Sequence, residues 1–198
     1  MHDRARLSDL FDDLLAARPD DPSITLREAI EHLGVRAYGP LLLIFALPNA
    51  IPNVPGLSSL FGLPLLFFAV QMALGRTPWL PAFLADRGIA RASLQAVSDK
   101  ARPWLERADK AVRPRLLPLS SPTAERLLGV FIFVLAFAIA LPVPLTNMFP
   151  AWSIGIIAIG ILDRDGVWIT AGILWGLVAL GIVALALLAA VSALMLAF

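Results

Sequence analysis

The side chains that could perform acid–base or metal chemistry are few, and they lie at the edges of the apolar sequence. The two histidines, His2 and His32, lie outside the apolar stretches, and no HExxH, GxSxG, P-loop or GxGxxG spacing occurs. Asp163 and Asp165 flank Arg164 and could form an acid/base pair or hold a cation, but a charged turn between two membrane spans has the same composition. We favour the turn. The sequence therefore predicts no catalytic residue, no metal site, no cofactor and no enzymatic activity.

Polar chemistry is expected instead where prolines and asparagines interrupt two long apolar stretches. Asparagine amides can both donate and accept hydrogen bonds, and half-helices that begin at such a break offer the positive ends of their dipoles to an anionic group. The alternative is that these residues form turns outside the membrane, with Asn capping the next helix. The candidate ligand or pathway residues are Pro48, Asn49, Pro52, Asn53, Pro55, Gly56 and Ser58 in the first stretch and Pro142, Pro144, Thr146, Asn147 and Pro150 in the second.

The elements that carry these breaks are predicted to lie in a membrane. The chain is 59% hydrophobic, with a mean hydropathy of +0.79, whereas ordinary globular domains are about 45–50% apolar. All but one of its 16 Lys and Arg and all but two of its 15 Asp and Glu lie within residues 1–39 and 76–126. The net charge of +1 argues against nucleic acid as a partner, and the absence of Cys excludes disulfides and thiolate sites. We therefore predict an all-α, polytopic helical membrane protein.

The two charged segments are expected to form cytoplasmic amphipathic helices. Residues 76–126 carry ten Lys or Arg against five Asp or Glu, so the positive-inside rule keeps them in the cytoplasm, along the membrane surface or packed on the N-terminal helices. In residues 1–39, Thr25 and Glu28 have the spacing of a capping box, and Gly34 is placed to end that helix. The acidic N-terminus does not resemble a signal peptide, and we predict that it is retained in the cytoplasm.

Three membrane segments complete a single predicted domain, residues 1–198. Residues 40–75 and 127–162 are each about 35 residues long and broken near the middle, so each is expected to form a re-entrant or hairpin unit. Residues 167–198 form an uninterrupted apolar run, long enough for one tilted transmembrane helix. The two broken units look like a duplication. Paired interruptions of this kind are typical of transporters, and we predict an inverted repeat whose breaks meet near the midplane.

Pro- and Asn-based motifs recur along nearly the whole chain, at residues 47–52, 55–58, 62–64, 76–81, 102–105, 121–122, 141–144, 147–148 and 163–166. Together they resemble the ExoD exopolysaccharide-synthesis proteins of bacteria. The resemblance implies an integral membrane protein linked to exopolysaccharide production, with a role in tolerance of alkaline conditions for some members. It carries over no catalytic or ligand residue. Thr146 stands where the resemblance leads us to expect Gly, which calls the geometry of the second break into question.

Two functions follow from these observations. The first is a small transporter or permease-like protein of the bacterial inner membrane, alone or as a homodimer, with its site at the paired breaks. The second is a non-catalytic scaffold or regulatory subunit whose charged segments dock polysaccharide-synthesis proteins. The apolar stretches contain no Asp, Glu, His, Lys or Arg, which counts against an antiporter that relies on a buried carboxylate.

Overall fold

Helices dominate the structure, a computed structural model that describes residues 23–51, 57–86, 88–90, 121–141 and 146–197. The predicted all-α fold is confirmed, apart from one antiparallel pairing of β1 (Ser23–Thr25) with β2 (Gly88–Ala90). Amphipathic helices predicted elsewhere in residues 1–22 and 91–120 lie outside the described residues. The helices in the described ranges are α1 (Leu26–Leu33), α2 (Tyr38–Ala46), α3 (Leu57–Ala73), α4 (Ala82–Ala85), α5 (Pro122–Ala140), α6 (Met148–Asp163) and α7 (Gly166–Ala197), with 3₁₀ turns at Gly34–Ala37 and Leu47–Ala50.

Local sequence signals set the ends of α1 and the start of α5. The capping box predicted for α1 is confirmed: the Glu28 N–H donates to Thr25 Oγ1 over 3.3 Å, and the Thr25 N–H donates to the Glu28 carboxylate over 3.0 Å. Gly34 ends the helix with a φ of 56°, as predicted. Helix α5 begins with Ser121 as its N-cap and Pro122 in its first turn, where a missing N–H costs nothing.

Among the described residues, three helical stretches are long and apolar enough to cross a membrane. They are Ile30–Ala50, Pro122–Ala140 and Gly166–Ala193, and two shorter apolar helices accompany them at Phe61–Ala73 and Met148–Leu162. Large apolar side chains cover the outside of the bundle, and Leu127 and Leu185 are each 68% exposed. Such a surface suits lipid and not water, as expected of a membrane protein.

The four central helices form two hairpins that pack as equivalent units. Helices α2 and α3 make the first hairpin, and α5 and α6 make the second. Between the hairpins, α3 packs on α5 and α6 packs on α2, so exchanging the two units maps one contact onto the other. Tyr38, Leu42, Phe68, Ile132 and Ile154 lie fully buried where the four helices meet.

Both hairpins begin and end at the same end of the bundle, which we call the charged end. The Tyr38 hydroxyl at the start of α2 donates to the Arg76 carbonyl just after α3, over 2.9 Å. Gly75, in the turn after α3, lies against the Arg126 side chain at the start of α5. The end of the first hairpin therefore meets both its own beginning and the beginning of the second.

The second hairpin closes at the charged end too. A cavity of about 20 Å³ brings the ends of three helices together. It is lined by Arg36, which precedes α2, by Glu125, at the start of α5, and by Arg164, which follows α6. The hairpins thus have the same orientation, and an axis running along the helices relates them. The predicted inverted repeat is wrong for the described arms, because an inverted unit would place its turn at the charged end. The two hairpins are parallel.

The second arms of both hairpins end in the same way. After α3, the Gly75 N–H donates to Met72 O and the Arg76 N–H to Gln71 O, which is a Schellman motif with Gly75 at a φ of 67°. After α6, Arg164 takes the equivalent position at a φ of 52°, and the Asp165 N–H donates to Gly160 O over 2.9 Å. This supports the duplication.

The polar turn leads directly into α7. The Asp165 carboxylate accepts the Val167 N–H over 2.8 Å and so caps the helix. Gly172 and Gly176 pack directly on α6, near Ile157 and Ser153, where an added methyl group would overlap atoms of α6. The predicted turn is confirmed, and the glycine pair packs one segment of the chain on another.

Candidate functional site

The described flanks of the two Pro/Asn breaks lie together at the end of the bundle opposite the charged end, which we call the break end. The first break comprises residues 47–56 and the second residues 141–147. The Trp152 indole N–H, in the first turns of α6, donates to the Ala50 carbonyl over 2.8 Å. Because Trp152 follows the second break and Ala50 belongs to the first, this hydrogen bond joins the described flanks of both. The 3₁₀ turn Leu47–Ala50 also packs on α6.

Asn49 is buried at this end, with 1% of its surface exposed. Its amide nitrogen Nδ2 donates to the Phe45 carbonyl over 3.2 Å, one turn back in α2. Its Oδ1 is buried and has no hydrogen-bond partner. The bond to Phe45 fixes the orientation of the amide, since the opposite rotamer would place two oxygens together. Asn49 therefore presents an unused acceptor and does not cap the next helix.

Asn147 provides a second buried acceptor, at the second break. It occupies the N-cap position of α6, yet its side chain makes no capping hydrogen bond. Its backbone carbonyl accepts the Ala151 N–H, while its Oδ1 is buried without a partner. A buried, unpaired carbonyl of this kind costs about 1–3 kcal/mol, so each of these oxygens calls for a functional explanation.

The remaining predicted site residues fall into two groups. Pro48 is partly buried, Pro150 is buried in the first turn of α6, and Ser58 lies in the first turn of α3. Thr146 is 7% exposed, and among the described non-glycine residues only Arg164 has a positive φ, so Thr146 needs no glycine conformation. The residues that lie outside the described ranges are Pro52, Asn53, Pro55, Gly56, Pro142 and Pro144.

Sequence reasoning missed the aromatic cluster that holds the break end together. Trp152 and Trp175 stack with ring centroids 6.0 Å apart and an interplanar angle of 23°. The Trp175 indole N–H donates to the Phe149 carbonyl over 3.1 Å, as Trp152 does to Ala50. The only available signal was chemical: indole is a hydrogen-bond donor without an acceptor, which suits the free carbonyls beside a proline break.

The electrostatics of the break end are neutral. Residues 40–74, 127–162 and 167–198 contain no charged side chain, and the described residues contain no cluster of His, Asp or Glu that could hold a metal ion. The N-terminus of α6 lies beside the C-terminal turn after α2, so their dipole ends oppose each other. This arrangement weakens the case for an anion. It favours a neutral group that donates hydrogen bonds.

A second feature lies at the charged end. Gln71 holds the segment after α3 by two hydrogen bonds, from its Nε2 to Trp79 O over 3.2 Å and from the Trp79 N–H to its Oε1 over 2.6 Å. Between α1 and this segment lies a cleft of about 340 Å³, bordered by an ion pair from Arg27 to Asp86 at 2.8 Å. Its apolar lining includes Ile30 and Trp79.

Comparison with known proteins identifies the family. Residues 7–185 match the family described as "Exopolysaccharide synthesis, ExoD". The chain is 33% identical to Protein ExoD of Rhizobium meliloti over 84% of its own length and 71% of that protein. It is 30% identical to an uncharacterized protein of Synechocystis sp., over 86% of its own length and 82% of the relative. No solved structure matches it significantly. The chain therefore belongs to the ExoD family of exopolysaccharide-synthesis proteins.

Proposed function

We propose that this membrane protein serves exopolysaccharide synthesis as a small permease-like protein that binds and passes a neutral, hydroxyl-bearing solute at its paired breaks. The observation that carries the proposal is the pair of buried oxygens, Asn49 Oδ1 and Asn147 Oδ1, that lack partners where the two breaks meet. Pathways in membrane proteins commonly run along interrupted helices, and parallel repeats are one established arrangement.

The chemistry of the two oxygens defines the class of solute. Both are acceptors, so the solute must donate hydrogen bonds, and the uncharged surroundings disfavour an ion. Water and polyols meet both conditions, and so do sugars. The exposed part of Trp152, 42% of its surface, adds an aromatic face of the kind on which sugar rings can rest.

The charge distribution supports an orientation. The charged end carries the basic segment 76–126, so the positive-inside rule places it, together with the N-terminus, in the cytoplasm of a bacterial cell. The protein then lies in the inner membrane, with the break end directed away from the cytoplasm. The proposal includes no catalytic step.

Passage can be tested with purified protein in liposomes. Xylitol uptake, followed by the light scattering of reswelling vesicles, should be at least tenfold faster than in protein-free vesicles. Asn49→Leu and Asn147→Leu should each remove most of that increase. Ser192→Ala is the matched control, because the Ser192 hydroxyl donates only to Leu188 O on the exposed part of α7. If wild-type vesicles reswell no faster than empty ones, passage of a polyol is excluded.

A scaffold role is the second candidate, and the cleft at the charged end favours it. The cleft of about 340 Å³ combines apolar walls with charged borders, as docking sites for protein segments do. Its partners would be polysaccharide-synthesis proteins or a second copy of this chain. Trp79→Ala should then abolish co-purification with the synthesis proteins and leave xylitol uptake unchanged, whereas Asn49→Leu should do the opposite. Co-purification that survives Trp79→Ala would remove the cleft from consideration.

A further inference from the structure

Counted from the charged side chains at the charged end, three of the four hairpin arms are several ångströms shorter than the hydrocarbon core is thick, although the full helical stretches Ile30–Ala50 and Pro122–Ala140 are long enough to cross it. From Arg36 to Ala50, from Glu125 to Ala140 and from Arg164 back to Met148 the chain runs about 15 residues, or about 22 Å of helix. The fourth arm, from Arg76 back to Leu57, runs about 19 residues, or about 28 Å of helix. The hydrocarbon core of a bilayer is about 30 Å thick. With the charged end at one membrane surface, the three shorter arms end several ångströms short of the other.

The length of helix α7 shows how far the arms reach across the membrane, because α7 is far longer than the arms and packs beside one of them. It has 32 residues, about 48 Å of helix, and runs antiparallel to α6 with Ile169 beside Gly160, Gly172 beside Ile157 and Gly176 beside Ser153. Continuing this register places Met148, the first residue of α6, beside about Gly181. The last turns of α7 therefore extend beyond the break end, where Leu188 and Met195 are 64% and 78% exposed.

The tryptophans point to the same depth. Tryptophan belts mark the two surfaces of a bilayer and lie about 30 Å apart. Trp168, next to the polar turn, is only two helical turns from Trp175, about 10 Å along the axis. Trp175 stacks on Trp152, so neither can mark the far surface while Trp168 marks the near one. Their indole groups instead donate to the carbonyls of Phe149 and Ala50.

We propose that the described flanks of both breaks lie inside the hydrocarbon core, that the hairpins are re-entrant, and that Trp152 and Trp175 supply the hydrogen bonds that lipid cannot. Backbone carbonyls at this depth need a donor from the protein or from a water-filled cavity. The route by which a solute enters rests on the proposed function: the solute reaches Asn49 and Asn147 from the side of the membrane toward which α7 extends beyond the bundle. The depth itself does not depend on transport.

Depth can be measured with two single-tryptophan proteins, one retaining Trp152 and the other Trp168, with Phe at the other four positions. In vesicles of brominated lipids, we expect Trp152 fluorescence to be quenched more by bromine deep in the acyl chains than by bromine near the headgroups. Trp168 should show the reverse. Equal shallow quenching of both would overturn the proposal, whether or not the vesicles take up xylitol. Deep quenching without uptake would leave the depth standing and exclude the permease.

Single substitutions in the otherwise intact protein test the role of the donors. Trp152→Phe and Trp175→Phe keep a ring but remove the N–H, so each should lower the midpoint of thermal unfolding in bilayer nanodiscs. Trp168→Phe is the control, since Trp168 makes no comparable bond among the described residues. At a membrane surface, water would replace the lost donors. Three equal midpoints would therefore overturn the assignment of Trp152 and Trp175 as donors at depth.

Discussion

The charged end and the break end of the same bundle differ in how completely their buried amides are paired. Gln71, 8% exposed, uses both ends of its amide on the backbone of Trp79. Asn49, 1% exposed, uses its nitrogen on Phe45 and leaves its oxygen unpaired. One amide fastens a loop, and the other keeps a hydrogen bond available. The paired amide of Gln71 supports the charged end, whereas the unpaired oxygen of Asn49 is the group on which the proposed binding site depends.

The helices are also packed more closely at the charged end than at the break end. Where α5 crosses α3 near the charged end, Gly129 lies directly on the backbone of Ala73, with no room for a methyl group. Where the same pair meets near the break end, a methyl group on Gly62 would lie 3.4 Å from Ile139, which is ordinary contact. The hairpins are therefore joined tightly at their base and have room to adjust around the breaks.

The largest change in the free energy of unfolding is expected where α5 crosses α3. Gly129→Ala should destabilise the protein by about 3 kcal/mol or more, because α3 and α5 must separate to admit the methyl group. Gly62→Ala should change stability by less than about 1 kcal/mol, since it gains helix propensity at little steric cost. Unfolding by SDS in mixed micelles would measure both. Equal losses of stability in the two variants would show that the two ends are packed equally closely, contrary to the difference described above.

The next largest difference in stability is expected between substitutions of Gln71 and Asn49. Gln71→Leu leaves the N–H and C=O of Trp79 without partners and should cost about 2 kcal/mol. Asn49→Leu gives up one hydrogen bond but also removes an unpaired buried oxygen, so stability should stay constant or rise by about 1 kcal/mol. The same unfolding assay applies. A loss at Asn49 as large as at Gln71 would show that Asn49 is structural and would weaken the proposed site.

Much of the fold follows from local patterns in the sequence. Charge-free stretches predicted the membrane helices, the Thr25 and Glu28 spacing predicted the capping box, and the polar residues around Arg164 predicted a turn. The orientation of the repeat did not follow. Two hairpins of equal length produce the same hydropathy pattern whether they are parallel or inverted, and only contacts between distant segments, such as Gly75 with Arg126, distinguish the two arrangements.

The candidate site was predictable in part. Proline marks a broken helix because it removes an N–H and leaves a carbonyl free, and the two breaks found in this way include Asn49 and Asn147 among twelve candidate residues. Composition could not tell which residue satisfies such a carbonyl, since Trp152 lies about 100 positions from Ala50 along the chain. An apolar Trp-containing helix looks the same whether its indoles face a membrane surface or a break.

The smallest effects are expected at the matched ends of the second arms, where the duplication itself can be tested. Gly75 and Arg164 both take a positive φ after their helices, but only Gly75 takes it without strain. Gly75→Ala should cost about 1 kcal/mol, partly because Arg126 must move aside. Arg164→Gly relieves about 1 kcal/mol of backbone strain, and the greater freedom of the unfolded chain offsets most of it. Stability should then change by less than about 0.5 kcal/mol in the SDS assay.

A large loss of stability in Arg164→Gly would mean that the charge of Arg164 beside Glu125 stabilises the second hairpin. The second arms of the two hairpins, although similar in backbone, would then be stabilised at the charged end by different interactions.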